Sequence, residues 1–507
     1  MYETEEKMSM GRYLGSRIPS LFRLPATSIS SLNPRPPLKE LTRSDWNYFF
    51  MGYAAWTVDA FDFFCVSACA PALAIAFDRS VHDITWGITL VLMTRSLGAV
   101  IFGSISDTYG RKPAYLIVMF LFCVIEIGTG FVNTYTQFLV VRSIFGVCMG
   151  GCYTTASATA LEAQPTRARS VLGGLFLPGY NLGYILAVAF YRAFEYTPKG
   201  WRGLFWFSAS PPLILFIWRL CFPEHPHFVE HKRVQREKAL LEGNEGQAKS
   251  PLKQFFADLN VAIRKHWLMF IYLVVYMSLM NFSSHASQDL MPTMLQNQLG
   301  FSSNARTVIM VVINLGAMVG GLVVGNTTEL IGRRLGILMC AVCSSALIYP
   351  AFFSTSMGGL MAGGFFMQFF VMGCWGITSV YIMELSPPAF RALFGGLAYQ
   401  LGNLASSASS TIEADISEAF PLEDGLHDYA KSMALFMVGV NVCLIVCIIV
   451  GPEMFHRDFS AGAEAQELGL DNVVERRQAS EDLDHASFDL NSEKHATTHH
   501  ENVKASV

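Results

Sequence analysis

Between residues 46 and 452 the chain is a succession of apolar blocks of about 20 residues, each long enough as a helix to cross the ~30 Å hydrocarbon core of a bilayer. Twelve blocks can be read, at about 46–77, 84–107, 113–133, 136–160, 171–195, 202–221, 267–291, 307–328, 335–354, 358–383, 393–414 and 431–451. In lipid only helices and closed barrels satisfy their own backbone, and barrel strands would alternate in polarity over about ten residues. These blocks do not alternate, so the expectation is an all-α membrane protein. Charge is correspondingly scarce, with 15% of the 507 residues charged and 52% hydrophobic, against roughly 25% charged in soluble proteins. What charge there is collects at the ends. Residues 453–507 hold 12 acids and 5 bases, a composition expected to stay solvated and disordered. Residues 1–45 contain no signal-peptide-like apolar stretch. The 11 cysteines lie almost wholly inside apolar blocks. Cys340 and Cys343 form a CxxC without a second pair, so packing thiols are expected and no metal site.

An internal repeat narrows the architecture further. Gly103-Ser-Ile-Ser-Asp107-Thr-Tyr-Gly110-Arg111-Lys112 recurs as Gly325-Asn-Thr-Thr-Glu329-Leu-Ile-Gly332-Arg333-Arg334, at an offset of 222. The same offset relates Glu162, Pro165, Arg169, Gly173 and Gly174 to Glu384, Pro387, Arg391, Gly395 and Gly396, and Asn181 to Asn403. Two six-helix halves of one ancestry are implied. Lys and Arg crowd one set of loops, through Arg111, Lys112, Arg167, Arg169, residues 232–265, Arg333, Arg334 and Arg391, while the other set ends in the acidic stretch Glu413 to Asp428. By the positive-inside rule the basic loops and both tails are cytoplasmic. Because the acids recur with the bases, Asp107, Arg111, Lys112, Glu162, Arg169, Glu329, Arg333, Arg334, Glu384 and Arg391 read as ion pairs between helix ends that hold one face shut. The plainer alternative is that the bases only fix topology.

The GxxxDxxGRK string after span 2, its echo after span 8, Arg142-Ser-Ile-Phe-Gly146 in span 4 and Pro223-Glu224 after span 6 resemble the major facilitator superfamily. The resemblance implies twelve transmembrane helices in two pseudo-symmetric six-helix halves, with a cavity at the midplane and alternating access by rocking. It divides the chain into a tail (1–45), an N-terminal half (46–222), a central loop (223–266), a C-terminal half (267–452) and an acidic tail (453–507).

Ionisable groups at membrane depth are functional candidates by default. Here they are Asp59, Asp62, Arg95, Glu126, Arg142, His285 and Asp289. On a helix at about 100° per residue, Asn281, Ser284, His285, Gln288 and Asp289 fall within about 140° of one another. Such a stripe faces a cavity or another helix. A hydrogen-bonded seam is the plain reading, but His and Asp at i, i+4 suit proton coupling. Asp59 and Asp62 are further proton candidates. Arg95, ~18 Å in from the end of span 2, suits a carboxylate in bidentate fashion or else neutralises Asp59 or Asp62. Arg142, nearer the outer end of span 4, is a gating or structural pair. Gln400 and Asn403 share a face of span 11, and Asn181 is the repeat mate of Asn403. Sugar carriers need stacking aromatics and neutral amides at the midplane, whereas this chain offers Arg95 and His285, which favour an anion.

The span 7 string Asn281-x-x-Ser284-His285-x-Ser287-Gln288-Asp289-x-x-x-Thr293 resembles the signature of the fungal Jen-type lactate and pyruvate permeases, grouped with the sialate:proton symporters. Gln400-Leu-Gly-Asn403 is similar to that family's span 11 pair. The resemblance implies plasma-membrane uptake of short carboxylates (lactate, pyruvate, acetate, succinate, malate) with a proton, by a monomer without cofactor or nucleic-acid partner. Cytoplasmic regulators would act at the tails and central loop. Another cargo (a sugar, phosphate or larger organic acid) and a non-transporting nutrient sensor are the alternatives; no enzyme motif is present.

Overall fold

The computed structural model describes residues 10–22, 35–161, 164, 166–224, 251–386, 391–422 and 427–454. Twelve rods cross in the expected order. Span 1 is Arg43–Phe77, span 2 Val81–Tyr109, span 3 Arg111–Gly130 and span 4 Tyr135–Leu161. Span 5 is Thr166–Phe176 with Gly179–Phe194, and span 6 is Trp201–Ser208 with Ser210–Leu220. Span 7 is Pro251–Ala286 followed by Met291–Thr293 and a π-helical turn, Met294–Gln298. Span 8 is Ser303–Ile331, span 9 Arg333–Ala346 with Ile348–Phe352, and span 10 Met357–Leu385. Span 11 is Arg391–Ser406 with Ser409–Glu418, and span 12 is Tyr429–Val450. Ten of the rods are long and apolar enough to cross a membrane; spans 9 and 11, each broken in two, are the others. Outward faces carry exposed Ile75, Phe120, Ile144, Ile214, Val323 and Val446, the apolar belt that lipid covers.

Local chemistry sets the starts. Thr42 and Asp45 form a capping box ahead of span 1, and Ser80 and Asp83 form one ahead of span 2. The repeat is visible in detail. Gly110 and Gly332 both take positive φ, 116° and 89°, so each lets one helix end and the next begin. The guanidinium of Arg111 donates to Ser106 Oγ at 2.8 Å, and that of Arg333 donates to Thr328 Oγ1, its mate, at 2.9 Å. A Cβ on Gly98 would lie 1.8 Å from the carbonyl of Val147, and one on Gly320 would lie 2.0 Å from that of Phe369. These are the same contact, 222 residues apart, between spans 2 and 4 and between spans 8 and 10. Only glycine lets the backbones meet so closely.

Two features depart from the sequence reading. Span 7 does not continue helically through Asp289; its helix ends at Ala286, and Gln288 and Asp289 lie in the break before Pro292. Its helix also begins at Pro251, inside the stretch taken as central loop, and is interrupted by non-helical backbone at His266.

The end carrying Arg111 and Arg333 is here called the basic end, and the end carrying Glu195, Asp415 and Glu418 the acidic end. Buried apolar side chains form two clusters. One runs through the N-terminal half and on into the acidic-end portions of the C-terminal half, including Leu290, Met294, Ile309 and Met433. The other is confined to the basic-end part of the C-terminal half, around Met277, Ile337, Tyr381 and Ile448. The halves are therefore packed together at the acidic end. All eleven cysteines are free thiols.

Candidate functional site

Arg95 of span 2 is 1% exposed. Its Nη2 lies 4.0 Å from Asp59 Oδ2 of span 1 and donates to the Tyr399 hydroxyl of span 11 at 3.4 Å. The Trp56 and Tyr399 rings stand 5.8 and 5.6 Å from its Cζ. Tyr153 packs against both rings, at 4.9 Å from Trp56 and 5.2 Å from Tyr399. Tyr180 of span 5 stacks on Trp56 at 5.2 Å and lies within electrostatic reach of Arg95, Asp59 and Asp289. Four rings from spans 1, 4, 5 and 11 thus surround the guanidinium, a feature the sequence reading did not single out. Their sequence signal is weak because each comes from a different span. Ser96 ties this face to span 11 by donating to the Gln400 carbonyl at 3.0 Å.

The second centre is the break in span 7. His285 Nδ1 and Asp289 Oδ2 are 2.9 Å apart, 4% and 1% exposed. Ser410 of span 11 donates to the same oxygen at 3.0 Å, leaving Asp289 Oδ1 without a partner among the described residues. Breaking the helix frees backbone carbonyls, and the N-terminal half satisfies two of them. The Tyr184 hydroxyl donates to Gln288 O at 3.0 Å, and Ser67 Oγ to Asp289 O at 2.6 Å. Ser67 and Asp289 are repeat mates, as are Phe63 and His285, whose rings are 6.2 Å apart. Spans 1 and 7 therefore meet at equivalent points, on the pseudo-two-fold axis. Gln368 of span 10 donates to Ser287 Oγ at 2.8 Å.

The amide candidates are buried but turned mostly to their own helices. Asn281 and Asn403 donate to the carbonyls of Met277 and Tyr399 at 2.8 and 2.9 Å. Asn181 Oδ1 and Gln400 Oε1 have no partner among the described residues. A third buried group lies within the N-terminal half. Arg142 Nη1 meets Glu126 Oε1 at 3.2 Å, both wholly buried, and Ser208 donates to Glu126 Oε2 at 3.3 Å. Asp62 sits within electrostatic reach of this pair.

Residues 41–464 match the family described as "Sugar (and other) transporter". The chain belongs to this family. A carboxylic acid transporter protein homolog of Saccharomyces cerevisiae (strain ATCC 204508 / S288c) is 43% identical over 491 residues, covering 92% of this chain and 80% of that protein. The sialic acid transporter NanX of Escherichia coli (strain K12) is 25% identical over 425 residues, covering 82% and 94%. Among solved structures, the xylose transporter XylE from E. coli, in a partially occluded inward open conformation, aligns with a TM-score of 0.64 at 14% identity, covering 82% of this chain and all of that one. The fold is the twelve-helix major facilitator fold of a multi-pass membrane transporter.

Within that fold the two ends of the transporter are held differently. At the basic end the spans pair inside each half, and only the N-terminal tail helix crosses over among the described residues, through Ser20 and Arg17 to Arg334 and Tyr13 to Val450. Arg333 binds Glu384 at 3.2 and 3.3 Å. The backbone N–H of Lys112 donates to Glu224, and those of Arg333 and Arg334 donate to Glu453. Lys112 Nζ and the Arg334 guanidinium cap the carbonyls that end spans 6 and 12. Pro452-Glu453 thus echoes Pro223-Glu224, at a spacing of 229 rather than 222, and a search for Pro-Glu after each sixth span finds it. Glu162 and the side chains of Asp107, Arg169, Glu329 and Arg391 lie outside the described residues. At the acidic end the bonds cross between halves. Arg306 of span 8 pairs with Glu195 at 2.7 Å, Ser303 bonds the same carboxylate, and Arg192 donates to Asn304 at 2.6 Å. Thr85 and Thr89 of span 2 meet Thr411 of span 11 at 3.1 and 2.9 Å. These cross-half bonds carry no repeat or motif and are invisible in the sequence.

Proposed function

We propose that the protein is a proton-coupled symporter of short carboxylates, among them lactate, pyruvate, acetate, succinate and malate, working by alternating access. It acts as a monomer in the plasma membrane, with the basic end and both termini in the cytoplasm. The observation that carries the reading is Arg95, a buried guanidinium whose nearest carboxylate is 4.0 Å away. A buried cation is costly unless fully paired, and a carboxylate substrate supplies the missing bidentate partner. The name of the 43% identical relative supports the same cargo class. The proton belongs to His285 and Asp289, whose bond breaks or forms as the pair gains or loses it. With the acidic end packed shut, cargo leaves toward the basic end; the return stroke opens the bonds at Glu195, Gln288 and Asp289.

Uptake of labelled lactate and succinate by cells expressing the protein tests this. It rises as the outside is acidified and collapses with a protonophore; uptake indifferent to both contradicts it. A second reading has a specific observation behind it. The four rings around Arg95 fit a larger organic acid, the kind of cargo named for the sialic acid relative. Competition of lactate uptake by a graded series of acids separates the two: the short-acid reading predicts that inhibition fades as the acid outgrows succinate.

A further inference from the structure

The sequence places Glu413 with the acidic loop that follows span 11. The structure places it inside the membrane rod, in the second segment of span 11, Ser409–Glu418, and wholly buried. Neither of its carboxyl oxygens has a hydrogen-bond partner among the described residues. It is one turn beyond Ser410, whose hydroxyl donates to Asp289 Oδ2 at 3.0 Å, and residues at i and i+3 share a helix face. The Asp289 carboxylate is close enough to act on it electrostatically. In the other direction, Glu413 lies about one and a half turns, roughly 7.5 Å, from the helix end at Glu418. There Asp415 and Glu418 reach the surface at the acidic end and face His82 of span 2 at 3.1 and 3.8 Å.

Among the described residues, the elements packed around it offer no compensating cation. Span 7 brings His285 and Asp289, already engaged with each other. Span 2 brings Thr85 and Thr89, bonded to Thr411, and His82 at the mouth. Span 12 brings Ser432, which bonds the Glu413 backbone carbonyl, together with Lys431, whose Nζ sits 3.8 Å over the Phe420 ring, and Asp428, which caps the Lys431 amide. A bare, unpaired carboxylate is strongly unfavourable in such a place and its neutral acid form is tolerated, so the site suits a group that gains and loses a proton.

We propose that Glu413 is the residue that takes the coupled proton from the solution at the acidic end and passes it to the Asp289–His285 pair. The proposal rests on the proton-symport reading above. The proton adds to one Glu413 carboxylate oxygen while the surface at Asp415 and Glu418 is open. Rotation of the Glu413 side chain, one turn from Ser410, then brings that proton to the Ser410 oxygen as Ser410 gives its own hydroxyl proton to Asp289, and Glu413 is ionised again. No other bond is made or broken. Glu413 has Tyr191 as its repeat mate, so the N-terminal half has no counterpart of this step.

Purified full-length protein in proteoliposomes tests the assignment, with labelled lactate as probe and two assays side by side: accumulation driven by an imposed pH gradient, and lactate exchange without a gradient. Glu413→Gln keeps the shape and removes the titration. Its gradient-driven accumulation falls about tenfold or more while exchange continues. Glu413→Asp retains a titrating group and recovers accumulation, with a displaced pH profile. Accumulation by Glu413→Gln equal to that of the unmodified protein overturns the proposal. So does Glu413→Asp performing no better than Glu413→Gln in both assays, since a purely structural role would then account for the loss. If the unmodified protein ignores the gradient, the symport reading itself fails and takes this proposal with it, whereas the first two outcomes leave that reading standing.

Discussion

At membrane depth the N-terminal half buries Asp59, Asp62, Glu126, Arg95 and Arg142, whereas the C-terminal half buries His285, Asp289 and Glu413. The halves share a backbone plan down to individual glycine contacts, yet their charges do not match. At the offset of 222, Arg95 answers to Ala317, Arg142 to Gly364, Phe63 to His285 and Ser67 to Asp289. The first half therefore holds permanent cations among acids. At the same depth the second half, among the described residues, holds acids and one imidazole, that of His285. A permanent cation suits an anion that must be held at any pH, and a titrating cluster suits a proton that must be taken up and released. The contrast assigns cargo to one half and proton to the other.

Substitutions at four positions would break or sharpen that contrast. The largest effect is expected from Arg142→Ala, which strands Glu126 as a buried charge. The unpaired group should cost about 3–5 kcal/mol of stability, seen as early thermal unfolding of the purified protein. A normal melting curve with uptake lost would make the pair part of the cargo path instead of a strut. Arg95→Ala comes next, with about a 100-fold loss of kcat/KM for lactate, and Arg95→Lys should recover little because a point charge does not replace a planar fork. Asp289→Asn should reach the membrane normally and lose about tenfold in gradient-driven accumulation. Undiminished accumulation would move the proton out of span 7. Smallest is Tyr184→Phe, which removes one bond from the first half to the span 7 break. A single hydrogen bond contributes about 1 kcal/mol, so acidic-end cysteines introduced as reporters should label severalfold faster, with no change in substrate affinity.

Much of this was legible beforehand, for identifiable reasons. Span number and order follow from apolar length, which any helix in lipid must obey, and the 222 offset survives because both halves need the same turns at Gly110 and Gly332. His285 and Asp289 stand out because charge in an apolar block has few innocent explanations. The breaks in spans 5, 6, 7, 9 and 11 were not legible, since hydropathy averages across an interruption of one to four residues. Helical projection put Gln288 and Asp289 on a continuous helix, whereas they lie in a break closed by Tyr184 and Ser67, two side chains more than a hundred residues away. Glu413 was hidden by its neighbours: beside Asp415 and Glu418 it reads as one more acid of a loop, and only tertiary packing shows that it alone is buried. The rings around Arg95 leave no joint signal in the sequence because four spans contribute one each.

The division between the halves can be tested by substrate binding to the purified protein across a range of pH, comparing Arg95→Lys and Asp289→Asn with the unmodified chain. The account predicts that Arg95→Lys weakens lactate binding at every pH while leaving the shape of the pH dependence intact. It predicts that Asp289→Asn keeps the affinity seen at acid pH and flattens the dependence. Arg95→Lys binding as tightly as the unmodified protein, or Asp289→Asn retaining the full pH dependence, would contradict the separation of cargo from proton.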